Sequence, residues 1–242
     1  MREICIALLT VLIFTGTAFS TTFSGVKSKC SVCGTENEFS VLSSTNAFGP
    51  SDLDLRPPEM KRSTMPMWVQ ECSNCGYAAS DIKDPLGTSP EFLKSEGYIS
   101  CEGTAFKSRL AARFYRQYMI ARKCDDPMTA FNAALHAAWS CDDADDYEGA
   151  KICREKAAVL AEKLIADERL NESGRESITL MRADILRRAG HFEEVIRGYS
   201  NVKFSGKTGN NYEVMNKVVK FEVEKAKERD VKCYTVSDVL GK

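Results

Sequence analysis

Two hydrophobic rhythms divide the chain. From about Thr104 onward, apolar residues recur at helical spacing: Leu110, Phe114 and Tyr118 every fourth position, then Phe131, Ala134, Leu135, Ala138 and Trp139 as a second stripe. Such spacing lines one face of a 3.6-residue helix. Between the stripes stands Asp126-Pro127, a capping residue followed by the proline that suits a first helical position, so the pair is predicted as a helical hairpin. A second hairpin is predicted from Ala157, Leu160, Ala161, Leu164 and Ile165 against Ile178, Met181, Ile185 and Leu186, parted by Asn171-Glu172-Ser173-Gly174. The segment from Ala183 to Glu194 has a tetratricopeptide look, with Ala189-Gly190 letting one helix stop and Phe192 plugging the turn. Tyr212, Met215, Val219 and Val223 predict a last helix, whose lysines and glutamates solvate its outer face. Stacked hairpins bury both faces only against neighbours, and about three units suffice for a stable stack.

Ahead of that region the pattern is short and β-like. Phe39-Ser40-Val41-Leu42 and Met67-Trp68-Val69-Gln70 are rich in the branched and aromatic residues that suit a pleated surface, and are predicted as strands. The first follows, and the second runs into, a Cys-x-x-Cys-Gly device: Cys30-Ser31-Val32-Cys33-Gly34 and Cys72-Ser73-Asn74-Cys75-Gly76 respectively. Two residues between cysteines let one tight turn aim both sulfurs at a single ion, and the glycine that follows accepts positive φ. Cys30, Cys33, Cys72 and Cys75 thus have the spacing of a closed four-thiolate zinc site, which leaves no coordination position for a substrate. The surrounding segment is too small to bury much apolar surface alone, whereas a structural zinc supplies on the order of 10 kcal/mol of folding free energy.

The excursion between the knuckles, Ser43 to Pro66, is longer than a plain ribbon needs. Gly49-Pro50 marks a turn, and Asp52, Asp54 and Arg56 alternate with Leu53 and Leu55 ahead of a diproline and Glu59. That alternation predicts a charged outer face over a packing inner one, in a salt-bridged loop that clamps ribbon to helices. An acid–base role for these carboxylates lacks a nucleophile or an open metal position.

The run Cys30, Cys33-Gly34-Thr35, Leu42-Ser43-Ser44-Thr45-Asn46, Asp52-Leu53-Asp54-Leu55-Arg56-Pro57-Pro58-Glu59-Met60 and Cys72-Ser73-Asn74-Cys75-Gly76-Tyr77 resembles the bacterial family called domain of unknown function 2225. The resemblance covers most of the chain after its first twenty residues. It implies a zinc-ribbon-like head followed by tetratricopeptide-like helices, brings no established activity, and implies a cytoplasmic location for many members.

Residues Met1 to Ser20 differ in composition: Arg2, an apolar run from Ile4 to Phe14 interrupted by Thr10, then Ala18-Phe19-Ser20. This is the pattern of a secretory leader cleaved before Thr21, which would make the protein periplasmic or extracellular; an uncleaved anchor and a cytoplasmic protein with an over-extended start are the alternatives. Beyond the leader stand nine cysteines, the four above and Cys101, Cys124, Cys141, Cys153 and Cys233. An odd, scattered set is a poor disulfide framework and suits a reducing setting or burial as small hydrophobes. Thirty-three basic against 34 acidic side chains, a formal charge of -1, provide no global field for a polyanion.

The expected organisation is therefore a leader over residues 1–20, a zinc-ribbon-like domain over 21–100 and a tetratricopeptide-like helical domain over 101–242, an α+β class that is mainly α. Histidine catalysis is not expected, since His136 falls within a helix stripe and His191 in a helical turn. The aspartates of Cys124-Asp125-Asp126 and Cys141-Asp142-Asp143-Ala144-Asp145-Asp146 are expected to be helix caps rather than ligands. Phosphate cradles and nucleophile elbows are missing from the sequence. The leading expectation is a non-enzymatic interaction module that holds a protein or peptide on the concave face of a right-handed helical stack, without nucleic acid and without a membrane span after leader removal. The alternatives are an exported thiol–disulfide protein using Cys30/Cys33 and Cys72/Cys75, and a nucleic-acid-binding ribbon.

Overall fold

The computed structural model describes residues 21–206 and 211–241, so the expected leader lies outside the described residues. The head begins with an antiparallel hairpin of β1 (Thr22–Lys29) and β2 (Glu36–Ser44), in a register that sets Lys29 opposite Glu36 and brings the first knuckle to the hairpin turn. A second, minimal hairpin pairs β3 (Gln70–Glu71) with β4 (Ala78–Ala79) around the second knuckle. The predicted strand over Phe39–Leu42 forms inside β2. The one predicted over Met67–Gln70 does not: Met65–Met67 is a turn of 3-10 helix with Pro66 near its start, and pairing begins only at Gln70. Proline presets the tight helical φ and removes a ladder donor, which overrides the β preference of the neighbouring Trp68 and Val69.

The excursion between hairpins carries α1 (Glu59–Arg62), and two further short helices, α2 (Pro90–Leu93) and α3 (Glu96–Ile99), lead out of the head. Then come α4 (Arg109–Lys123), α5 (Pro127–Asp142), α6 (Tyr147–Ala166), α7 (Glu172–Arg188), α8 (Phe192–Tyr199), α9 (Tyr212–Lys227) and the short α10 (Val236–Leu240). Each of α4 to α7 packs on its successor, and α9 packs on both α7 and α8. The predicted hairpins and their punctuation are present. Asp126 caps α5 by accepting from the Thr129 N–H, Pro127 is its first residue, and Asn171 caps α7 through Gly174. Among the described residues no helix is long and apolar enough to cross a membrane.

One continuous core runs from Cys30 and Cys72 in the head through Phe114, Leu135, Cys153 and Ile185 to Val223 and Ala226 in α9. The head is fastened to α4 by polar contacts as well: Arg113 donates to the Val69 carbonyl, Arg116 pairs with Glu71 at 2.6 Å, and Gln117 donates to Ser80 at 2.9 Å. A second attachment comes from the excursion. Asp52 accepts from the Leu55 N–H while its own N–H donates to the Arg56 carbonyl, closing a loop in which Leu55 takes φ +64°.

That loop reverses the predicted polarity. Asp52, Asp54 and Arg56 are buried with Leu53, and Leu55 is the side chain left outside, 53% exposed. The charges turn inward because the helices meet them with charge. Arg188 bonds Asp54 at 3.2 Å and Asp142 at 2.7 Å, Trp139 Nε1 donates to Asp54 at 2.7 Å, Arg154 pairs with Asp142, and Arg56 reaches Asp143 at 2.5 Å. Asp142 and Asp143 are therefore network members rather than the caps expected of them, whereas Asp146 does cap α6 through Gly149. The segment after α9 lies over the same loop, with the Leu53 N–H donating to Tyr234 and the Val236 N–H to Ser51.

Candidate metal centre

The two knuckles repeat one backbone geometry. The Cys30 N–H donates to the Thr35 carbonyl at 2.9 Å and the Cys72 N–H to the Tyr77 carbonyl at 2.8 Å; the Gly34 and Gly76 N–H groups return to the carbonyls of Cys30 and Cys72, each at 2.9 Å. Closing that turn requires left-handed backbone at the fifth residue, where Gly34 has φ +73° and Gly76 φ +71°. Only glycine adopts this without a Cβ penalty. The glycine after each second cysteine is thus a geometric requirement of the turn that aims both sulfurs the same way.

All four predicted ligands converge. The sulfurs of Cys30, Cys33, Cys72 and Cys75 lie within 4.8 Å of one another, and among the described residues they are the one group of His, Cys, Asp or Glu side chains gathered closely enough to hold a metal ion. The two sulfur–sulfur hydrogen-bond contacts both cross between knuckles, Cys33 to Cys72 at 3.5 Å and Cys30 to Cys75 at 3.7 Å. A tetrahedron with Zn–S bonds of about 2.3 Å has edges of about 3.8 Å. The cage therefore matches zinc in donor chemistry and in size.

Burial is graded across the four. Cys30 and Cys72 are each 2% exposed, Cys75 is intermediate and Cys33 is open to solvent. Burial pushes the Cys75 thiol far up, and the neighbouring thiols reinforce it; Cys30 is also raised, by burial first. Cys33 moves the other way. Its burial penalty is outweighed by hydrogen bonds from the Thr35 hydroxyl and N–H and from the Asn74 side chain, which bring it to about 6. Four sulfurs this close cannot all carry unbalanced negative charge, so a divalent cation is the natural partner for the set.

Sequence reasoning missed the residue that joins the knuckles. Asn37, on β2 and 8% exposed, accepts the N–H and the hydroxyl of Ser73, both at 2.8 Å. Its amide donates to the Thr35 carbonyl at 3.0 Å and to Cys72 Sγ at 3.6 Å. Nothing in the local sequence marks it beyond its place four residues after Cys33, because its partners are brought to it by the second hairpin. Tyr98 adds a brace from α3, its hydroxyl donating to the Gly76 carbonyl at 2.5 Å.

The remaining candidates keep structural roles. His136 packs in an aromatic cage of Trp68, Phe114 and Trp139 with ring centroids 5.0 to 5.1 Å away, and burial, against the pull of Asp54, depresses it to about 4. His191 Nε2 sits 3.0 Å from Glu155 at the start of α8. Cys101, Cys141 and Cys153 are buried free thiols, while Cys124 is half-buried and Cys233 exposed. No protein-family model, no curated protein and no solved structure matches this chain.

Proposed function

We propose that this protein is a zinc-pinned, non-enzymatic interaction module. The observation that carries the reading is the closed sulfur cage, in which all four ligands come from the protein and two of them are buried in the common core. Zinc in such a cage fixes structure and offers no vacancy for chemistry. Sulfur–sulfur contacts that cross between the knuckles, so that all four thiols form one group, favour this over redox cycling within each Cys-x-x-Cys pair. The resemblance to domain of unknown function 2225 belongs to the same proposal, and a leader that directs export would set this chain apart from the many members for which that resemblance implies a cytoplasmic location.

The helical stack supplies the surface. Between α8 and α9 lies a groove of about 480 Å³, floored by Tyr199, Val219 and Val223 and bordered by Lys203, Lys220 and Lys227 against a single acid, Glu224. An apolar floor under a cationic rim suits a peptide that alternates aliphatic with acidic residues. The test is affinity capture under native conditions with the wild type and with K203E/K220E/K227E, beside a metal assay. One tightly held zinc per chain and a partner retained only by the wild type support the reading. A metal-free protein, or identical captured proteins on both baits together with turnover of a small substrate, overturns it.

A further inference from the structure

A cavity abuts the sulfur cage. It measures about 580 Å³; one wall is formed by the knuckle tips, with Val32, Cys33, Asn74 and Cys75, and the facing wall by α2 and α3, with Leu93 and Ile99. Of the four ligands, Cys33 is the one on this wall that is exposed to solvent. Ile99, opposite, is 60% exposed, so the cavity is open to solvent beside an apolar lip.

A purely structural zinc site has no need of an open pocket beside a ligand. Four thiolates around one divalent ion keep a net charge of two negatives, and that electron density resides on sulfur. Three of these sulfurs are shielded to some degree by the core, whereas Cys33 faces the cavity with the Thr35 hydroxyl, 3.3 Å away, and the Asn74 side chain as its neighbours outside the cage. The thiolate is the reactive form of cysteine, and access selects among thiolates.

We propose that Cys33 is a modification site for organic hydroperoxides, and that its oxidation opens the metal centre. This rests on the zinc reading above. The Cys33 thiolate attacks the distal oxygen of the hydroperoxide, the O–O bond breaks, and the departing alkoxide takes a proton from water, leaving Cys33 as a sulfenic acid. Cys72 Sγ, 3.5 Å from Cys33, then attacks the oxidised sulfur. The S–S bond forms and hydroxide leaves, taking up a proton to become water. The overall change is two thiolates, one hydroperoxide and two protons converted to one disulfide, one alcohol and one water. Of the four sulfurs that would hold zinc, only Cys30 and Cys75 would then remain free to ligate it, so the disulfide would favour release of the ion.

The resolving partner is specific. Cys72 belongs to the other knuckle, so the product links residues 39 apart and locks the two hairpins by a covalent bond in place of the ion. The buried Cys101, Cys141 and Cys153 are screened from the reagent, and Cys124 and Cys233 lack a metal to hold them as thiolates.

The experiment uses the full zinc-loaded chain and cumene hydroperoxide. Zinc content is measured first, then metal release is followed with a chromogenic chelator, sulfenic acid is trapped with dimedone, and the products are mapped by peptide mass spectrometry. The expected result is zinc release concurrent with a Cys33–Cys72 disulfide, with dimedone on Cys33 on the order of tenfold faster than on Cys124 or Cys233. The cavity variant I99W keeps all four ligands and should slow the reaction by about threefold or more at unchanged zinc content. A protein that binds no zinc overturns this proposal and the zinc reading together. A zinc-loaded protein whose first trapped cysteine is not Cys33, whose first disulfide is not Cys33–Cys72, or whose I99W variant reacts at the wild-type rate overturns this proposal alone.

Discussion

Asn37 Nδ2 lies 3.6 Å from Cys72 Sγ, so a side chain on the first hairpin donates to a sulfur on the second. With Oδ1 holding Ser73 and Nδ2 also on the Thr35 carbonyl, one buried amide spans both knuckles. Partners of this kind orient metal ligands and tune sulfur charge, and their loss typically weakens metal binding by about 10- to 100-fold. N37A should reduce zinc affinity by that factor in a chelator competition while leaving far-UV helical signal intact. An unchanged affinity would show that the knuckles hold their spacing without it.

The pairing of Asp54 with Arg188 joins positions 134 apart in sequence, both nearly excluded from water. Removing one partner strands the other charge in a poorly polarisable setting, at a cost of about 3–5 kcal/mol. R188M is expected to lower stability by that amount, because Asp54 keeps only Trp139 and the Arg56 N–H. W139F removes a hydrogen bond to a charged acceptor and should cost about 1.5–3 kcal/mol. Urea unfolding checks both values, and limited proteolysis near Leu55 should quicken in R188M as the loop is released.

A second buried cluster makes stability depend on pH. Glu222 is fully buried against Arg187 at 2.5 Å and in hydrogen-bonding contact with Asp184. Burial, then the charge of Asp184, lifts its carboxyl from an ordinary 4.5 to about 8. Asp184 Oδ2, 3.9 Å from Arg188, and Glu222 Oε1 otherwise have no hydrogen-bond partner, and a proton shared between the two carboxyls satisfies both. The folded state then holds a proton that the unfolded state releases above pH 4.5. Stability is full below pH 4.5, falls as pH rises, and levels off above about 8. The loss across that window is on the order of 5 kcal/mol. E222Q, which keeps a donor toward Asp184 and an acceptor toward Arg187, should flatten the profile. Denaturant midpoints for both proteins at pH 5 and pH 9 decide the matter; parallel profiles would place the proton elsewhere.

How much of this was legible in sequence depended on the range of the interactions. The helices from α4 to α7 and the Asp126 cap could be read because apolar period and capping are local, set within one or two turns. The cage could be read because each knuckle is a five-residue device whose glycine performs the same task twice. Trp68 and Val69 misled because a propensity for strands was weighed without Pro66, which winds the chain before pairing can start. The Asp52–Arg56 loop misled more deeply. Alternating charge and leucine normally puts charge outside, and only the distant Arg154, Arg188 and Asp142 make the inverted arrangement tolerable. Asn37 was illegible for the same reason, since its partners are assembled by folding.

Metal removal tests the hierarchy of the two parts. The hairpins bury little on their own: most of β1 is exposed, and β3 and β4 have two residues each. Cys30 and Cys72 nevertheless belong to the core that continues into α4 and beyond. A structural zinc supplies on the order of 10 kcal/mol to the fold that carries it. Chelation, or C33S or C75S, should therefore unfold the head while most helical signal survives, because α4 to α9 bury their own stripes against one another. Far-UV circular dichroism should lose little amplitude, while proteolysis should cut within residues 21–80 and amide exchange there should become fast. Arg116 and Tyr98 would lose their partners Glu71 and Gly76, so protection at the start of α4 should fall with the head. Should the chelated protein keep its protease resistance in the head, the shared core rather than the ion would be what holds the knuckles together.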